Sequence, residues 1–372
     1  MPKSNRISLY KSFLVINPFG IGDVLFSTPL LSNLKKAFPQ SDIYYLCNSR
    51  AVRILKNNPA ISGFFIYDRD EFERVRKMST RIWLKKTFSF LKNIKKKRIE
   101  VALDLSLNSQ FGFFSWVIGI PRRIGLNYKG RGRFLTDKIP FSGFCDRHVA
   151  EYYLDVLRAL PVETETFPFA VFTSSGVSGW AKEFIEQNQL TGKPIIGLVP
   201  CGGEAFGKDA KIRRWDKEKF AGLAVQLIDR FDAEIFLFAG PKEKREVDHI
   251  INMTGSYKDR CHDLSEISLE EMIALMRHCS LCIGNNTGPL RFADALDKPI
   301  IALAGPVDER VYGSYPASAG RVKVISKQLS CQPCYRNFRI IPCEHDHQCL
   351  EQISVDEVLA AAQEVISRQG DL

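Results

Sequence analysis

SFLVINPFGIGDVLFSTPLLSNLKKAF, residues 12–38, holds the pattern that decides the fold. Ser12 to Ile16 is a short apolar run that reads as a buried strand. Asp23 to Phe38 places apolar residues at helical spacing and predicts one helix. Between them, in Asn17-Pro18-Phe19-Gly20-Ile21-Gly22-Asp23, two glycines let backbone approach backbone or a ligand. Asp23 then stands in the first helical turn. A carboxylate there caps free N–H groups. Alternatively it is a base at the carboxyl end of a first parallel strand, where open α/β sheets bind ligands. The residues alone leave both readings open.

Working outward, strand-like and helix-like segments alternate. Strands are expected at Ile43–Leu46, Phe64–Tyr67, Val101–Leu105 and Arg122–Gly125. Helices are expected at 50–57, 72–97, 109–118 and 148–160. The second half repeats the theme, with strands at Ile195–Val199, Glu234–Ala239, Leu281–Gly284 and Ile300–Leu303. Alternation of this kind predicts parallel sheets covered by helices on both faces. Pro161 to Ser178, rich in Pro, Thr, Ser and Glu, is the linker candidate. The expected domains are therefore residues 1–165 and 178–372.

At 372 residues and 45% hydrophobic, the chain can build two cores. No apolar run approaches the roughly 20 residues that span a bilayer. The apolar stretch near the start is too short for a signal peptide. A cytosolic protein is expected, with ten cysteines mostly as thiols. Positive charge gathers in the first half: residues 1–170 carry 28 Lys and Arg against 14 Asp and Glu. Arg74 to Arg98 interleaves basic residues with Trp83, Phe88, Phe90 and Leu91, and Arg122 to Arg133 adds more. Basic helices with aromatic anchors suit an anionic membrane surface. No helix-turn-helix, zinc-finger or aromatic RNA-binding motif accompanies them, so no nucleic-acid partner is expected.

Three further stretches carry chemistry. Pro200 to Lys208, with Gly202, Gly203 and Gly207, follows a strand and suits phosphate approach; Lys211-Ile212-Arg213-Arg214-Trp215 follows it. Asn286-Thr287-Gly288-Pro289 also follows a strand and opens a helix, where free N–H groups attract anions. Cys331, Cys334, Cys343 and Cys349 have ligand-like spacing for zinc or iron, with free thiols as the alternative.

The N-terminal block, the block from Ile195 to Gly240, and Gly284-Asn285-Asn286-Thr287-Gly288-Pro289-Leu290-Arg291-Phe292-Ala293 together resemble glycosyltransferase family 9, which includes the ADP-heptose–lipopolysaccharide heptosyltransferases. The order and spacing agree over nearly the whole chain. The resemblance implies a GT-B α/β fold, two Rossmann-like domains with parallel sheets facing a central cleft. It implies an inverting glycosyltransferase that moves a sugar from a nucleotide sugar, ADP-heptose above others, to a lipid-linked or core oligosaccharide acceptor. Such an enzyme would sit on the cytoplasmic, inner face of the inner membrane and need no cofactor for catalysis. Asp23 takes the position of the base, with Gly22, Arg122 and Arg123 on the acceptor side. A carboxylate at a helix start is expected to have a depressed pKa. Gly202, Lys208, Lys211, Arg213, Glu243, Asn286, Thr287, Gly288 and Arg291 are the donor-side candidates. Arg213 stands where the family's K-x-W element has lysine. Asn286 and Arg291 replace the family's Asp and His, which puts the identity of the sugar in question. Cysteine clusters with iron occur in a subset of the family, so the metal expected here is structural. The alternatives are a different nucleotide-sugar donor, a nucleotide-sugar epimerase, or a non-catalytic relative that binds sugar nucleotides.

Overall fold

The computed structural model describes residues 10–202, 212–316, 321–336 and 338–370. The chain divides into two compact units, residues 1–172 and 173–372.

The first unit is built on a six-stranded parallel sheet. Its strands are β1 (Ser12–Ile16), β2 (Asp42–Cys47), β3 (Gly63–Ile66), β4 (Val101–Asp104), β5 (Arg122–Tyr128) and β6 (Asp137–Phe141). Their order across the sheet is β3-β2-β1-β4-β5-β6. β1 is central and buried along its whole length, which is why its five residues carry no alternation of polar and apolar. Leu14, Ile16, Tyr44, Leu46 and Ala102 pack on one face with Phe72, Ile94 and Phe111 from covering helices. Each such buried apolar side chain contributes roughly 1.5–3 kcal/mol.

Two expected helices are each divided. Asp23–Phe38 forms Ile21–Phe26 and Thr28–Ala37. Pro29 has no N–H to offer the Leu25 carbonyl, and the Thr28 hydroxyl takes that carbonyl instead at 2.7 Å. Residues 72–97 fall into Arg69–Met78 and Thr80–Lys95, parted at Ser79, which is extended and caps the second helix through Ile82 N. The segment after Leu160 packs back on this unit: Asn33 exchanges two hydrogen bonds with the Glu165 backbone, and Ala170 N donates to Thr28.

The second unit repeats the plan. Its strands are β7 (Ile195–Val199), β8 (Glu234–Leu237), β9 (Cys261–Asp263), β10 (Leu281–Asn285), β11 (Ile300–Leu303) and β12 (Val322–Ile325). Their order is β12-β11-β10-β7-β8-β9, again parallel throughout. Both sheets therefore have the doubly wound order in which the connections reverse direction beside the first strand, between β1 and β4 and between β7 and β10. Ligands of such sheets bind at the carboxyl ends of those strands. β7 and β10 approach closely because position 284 is glycine: a Cβ there would lie 2.6 Å from the Val199 carbonyl oxygen.

Candidate active site

In the first unit, the reversal point is occupied by the NPFGIGD turn. Asn17 is wholly buried and shapes it. Its Oδ1 accepts from Phe19 N at 3.3 Å and its Nδ2 donates to the Asp23 carbonyl at 3.1 Å. Asp23 occupies the third position of the helix Ile21–Phe26, after Gly20 as cap. The carboxyl folds back against Gly20, where a Cβ would lie 3.5 Å from Oδ2. Burial pushes the Asp23 pKa up to about 6, outweighing the main-chain N–H groups of Gly20 and Asp23 that pull it down. The depressed value expected for a capping carboxylate is therefore overturned, because desolvation exceeds the stabilisation by amides.

A second carboxylate, not anticipated from sequence, ends β4. Asp104 pairs with Ile16 of β1 and is 6% exposed. Its Oδ1 accepts from Ser106 N at 2.9 Å. Burial raises its pKa to about 6 as well. Beside the turn lies a cavity of about 600 Å³, lined by Pro18, Phe19 and Gly20 on one side and by Arg50, Arg69 and Arg74 among its charged residues.

Arg122 and Arg123 are not brought to this end of the sheet. Arg122 pairs with Val101 at the opposite, amino end of β4 and β5. Its guanidinium binds Asp137 and donates to Tyr10 Oη at 3.1 Å and to the Ala159 carbonyl at 3.0 Å. Arg123 donates to the carbonyls of Phe134, Ile120 and Pro121. Both tie loops to the sheet at the end away from the turn. Strand direction, not charge, decides which end of a sheet a residue occupies.

In the second unit, Asn285 ends β10 and links the surrounding segments. It is wholly buried, its Nδ2 donating to the Pro200 carbonyl at 2.7 Å and its Oδ1 accepting from Trp215 N at 2.8 Å. Trp215 is anchored through Nε1 to the Ile353 carbonyl at 3.0 Å. These bonds hold the neighbouring Arg213 over the strand end, where its guanidinium donates to the Asn286 carbonyl. Burial lowers the Arg213 pKa to about 10, so it remains a cation at neutral pH. Gly202 follows the buried Cys201 at the end of β7. Lys208 and Lys211 lie outside the described residues.

Thr287 donates its hydroxyl to the Asn285 carbonyl at 3.2 Å, and Gly288 accepts from Arg291 N at 3.0 Å. Pro289 is the cap of a six-residue helix, Leu290–Ala295, not its first residue. Arg291 is 1% exposed; it donates to Asn286 Oδ1 at 2.9 Å and to Ser314 Oγ at 2.7 Å. Glu309, also unanticipated, lies 3.8 Å from Arg291. Glu243 accepts from Gly240 N at 3.0 Å and from Arg214 at 2.7 Å, so it caps a turn and anchors an ion pair. A carboxylate with two such bonds still has lone pairs for a further donor.

Cys331, Cys334 and Cys343 line a cavity of about 200 Å³ with His345. The four thiols share a neighbourhood, since Cys331, Cys334 and Cys343 all act to raise the Cys349 pKa, after burial. His347 N donates to Cys343 Sγ at 3.4 Å. Among the described residues, however, no three His, Cys, Asp or Glu side chains converge closely enough to hold a metal ion. The basic helix Thr80–Lys95 leaves Ile82 59%, Leu84 54% and Phe88 70% exposed, beside exposed Arg81, Lys85, Lys92 and Lys95. Among the described residues no helix is long and apolar enough to cross a membrane.

Two doubly wound units, each with its polar residues gathered at the strand ends beside the reversal point, form the α/β architecture of GT-B glycosyltransferases. Residues 87–344 match the family model of glycosyltransferase family 9 (heptosyltransferase). The chain belongs to that family and is a glycosyltransferase. Lipopolysaccharide heptosyltransferase 2 of Salmonella typhimurium is 26% identical over 310 residues, covering 79% of this chain and 82% of that protein. The E. coli ADP-heptose lipopolysaccharide heptosyltransferase II structure matches with a TM-score of 0.76 at 21% identity, over 96% of this chain and 99% of that one. A glycosyltransferase family 9 structure from Veillonella parvula matches with 0.76 at 24% identity, over 96% and 98%.

Proposed function

We propose that this enzyme transfers heptose from ADP-heptose, with inversion, to a saccharide of the lipopolysaccharide core. The observation that carries the chemistry is the contrast between the two strand-end sites. One unit holds a carboxylate whose pKa burial sets at about 6. The other holds a buried guanidinium, that of Arg291, and a half-buried one, that of Arg213. The similarity to heptosyltransferase 2 supports the sugar and the acceptor.

In this reading the acceptor enters the cavity beside Gly20, whose charged lining is mixed, with Arg50, Arg69 and Arg74 beside Asp68, Asp70 and Glu71. Asp23 accepts the proton of the acceptor hydroxyl as its oxygen attacks the anomeric carbon. The bond from that carbon to the diphosphate breaks on the opposite face. A base with a pKa near the working pH combines the required ionised state with enough basicity. Arg213, with the main chain of Thr287 and Gly288, receives the charge that develops on the leaving diphosphate. Gly202 allows the backbone to approach the phosphates, and Glu243 accepts from the nucleoside.

The exposed apolar residues of Thr80–Lys95, set among basic ones, support peripheral binding to an anionic membrane surface on the cytoplasmic side. The thiols of Cys331, Cys334, Cys343 and Cys349 have the chemistry that suits a structural zinc or iron, and no step of transfer depends on it.

A thermal-shift panel of nucleotides and nucleotide sugars tests the donor assignment. A ligand bound only by the folded state raises the midpoint. Selective stabilisation by ADP and ADP-heptose supports the reading. Stabilisation by UDP- or GDP-sugars alone replaces the donor, and no response to any of them overturns donor binding.

A further inference from the structure

Behind the turn that carries Asp23, polar side chains from three segments are wholly buried: Asn17, Ser27 and Tyr45. Burying such groups is costly unless they are hydrogen-bonded. Two of them bond to the main chain of the short helix Ile21–Phe26, and the third backs those two.

Pro29 offers no N–H to continue that helix, and Ser27 N turns back to the Val24 carbonyl at 3.1 Å, three residues away rather than four. The carbonyls of Asp23, Val24 and Leu25 are each taken by a side chain. Asn17 Nδ2 donates to the first at 3.1 Å, Ser27 Oγ to the second at 2.7 Å and Thr28 Oγ1 to the third at 2.7 Å. Ser27 spends its one proton on Val24, so the Tyr45 hydroxyl, 2.6 Å away, donates to Ser27 Oγ. The same hydroxyl interacts with the Asn17 side chain. The outer limb of the turn is held as well. Asn17 Oδ1 accepts from Phe19 N at 3.3 Å. Asn48 donates to the Phe19 carbonyl while capping the helix Ser49–Leu55 through Ala51 N at 3.0 Å.

A helix of six residues gains little rigidity by itself. Asn17 and Ser27 fasten it separately from the helix Thr28–Ala37 beyond the break. Resting on the reading of Asp23 as base, we propose that Asn17 is a positioning residue. By holding both the Phe19 N–H and the Asp23 carbonyl, it sets where the Asp23 carboxyl stands at the end of β1. Ser27 and Tyr45 support it from beneath. Asn17 is wholly buried and acts only through the Asp23 main chain. A misplacement of about 1 Å at a catalytic group can cost about 100-fold in rate.

Asn33 provides the comparison. It is also buried and also bonds main chain, at Pro29 and Glu165, but on the far side of the break. Steady-state kinetics of acceptor-dependent ADP release from ADP-heptose, for wild type, Asn17→Ala and Asn33→Ala, tests the proposal. Both variants are expected to melt below wild type. Only Asn17→Ala should lose kcat, by about 10- to 100-fold. Its KM for ADP-heptose should stay within about twofold, as should the kcat of Asn33→Ala. A wild-type kcat in Asn17→Ala, or an equal fall in both variants, overturns the proposal. Should Asn17→Ala fail to fold, Ser27→Ala decides: it is expected to lower kcat at least about threefold at unchanged KM, and an unchanged kcat overturns the proposal. Asp23→Asn, measured alongside, separates the two claims. If it turns over like wild type, or if wild type releases no ADP, the base reading fails and takes the proposal with it. If it is inactive while Asn17→Ala is fully active, only the positioning role fails.

Discussion

Trp215 N donates to Asn285 Oδ1 across 2.8 Å, joining the end of β10 to the segment that carries Arg213. The other half of the same amide holds the Pro200 carbonyl at the end of β7. One wholly buried side chain thus sets the spacing of three segments at the donor side. Replacing Asn285 with Leu leaves a buried N–H and a buried carbonyl without partners, at roughly 1–3 kcal/mol each. Asn285→Leu is expected to lower the melting temperature by several degrees and to weaken ADP binding. Asn285→Leu melting within a degree of wild type, with normal ADP affinity, contradicts this role.

Arg213 is expected to act on the diphosphate rather than on the fold. Hydrogen bonds to charged groups are worth about 1.5–3 kcal/mol, so Arg213→Ala should weaken ADP by roughly 10- to 100-fold. Arg213→Lys keeps the charge but not the planar fork, and should recover only part of the loss. Competition titration with ADP and with adenosine separates the contributions: adenosine affinity should not change.

The raised pKa of Asp104 has a consequence for stability. Its folded value of about 6 exceeds the ordinary 3.8, so the folded protein holds this proton more tightly than the unfolded chain. The stability linked to it is fully present below about pH 4 and is lost as pH rises through about 6. Asn at this position carries no charge at any of these pH values and still accepts from Ser106 N. Asp104→Asn should therefore be more stable than wild type at pH 8, by up to about 3 kcal/mol, and the advantage should vanish near pH 4. Denaturation with urea at both pH values measures it. A difference that does not change with pH refutes the assignment.

The basic face of Thr80–Lys95 is expected to hold the protein on anionic vesicles. Phe88→Glu and Ile82→Glu should each reduce co-sedimentation with phosphatidylglycerol vesicles several-fold at low salt, with no effect on ADP binding. Equal sedimentation of wild type and both variants removes membrane contact from the account.

Much of the framework is legible in the chain because short apolar runs followed by glycine turns mark buried parallel strands. Ser12–Ile16 before Gly20, and Leu281–Asn285 before Gly288, show this directly. The helix breaks at Ser27 and Ser79 are less visible. One depends on Thr28 taking the carbonyl that Pro29 leaves, the other on a serine adopting an extended cap within a continuous amphipathic pattern. The position of Arg122 and Arg123 at the amino end of β5 is not legible, because charge density says nothing about which end of a strand a residue occupies. Asp104 and Glu309 go unnoticed for a related reason. Their character comes from neighbours far apart in sequence: Ile16 beside Asp104, and Arg291 beside Glu309. The pKa of Asp23 reverses expectation because local capping is visible in sequence and desolvation is not.

The central claim is that Asp23 is the base for transfer of a sugar from ADP-heptose to a core saccharide. The most direct measurement is ADP release from ADP-heptose in the presence and absence of a heptose-deficient core acceptor, for wild type and Asp23→Asn, across pH 5 to 8. The account predicts release that depends on acceptor and declines as pH falls through about 6. Turnover should fall about 100- to 10,000-fold in Asp23→Asn, with ADP-heptose affinity within about twofold of wild type. Release without acceptor, or full turnover by Asp23→Asn, contradicts it.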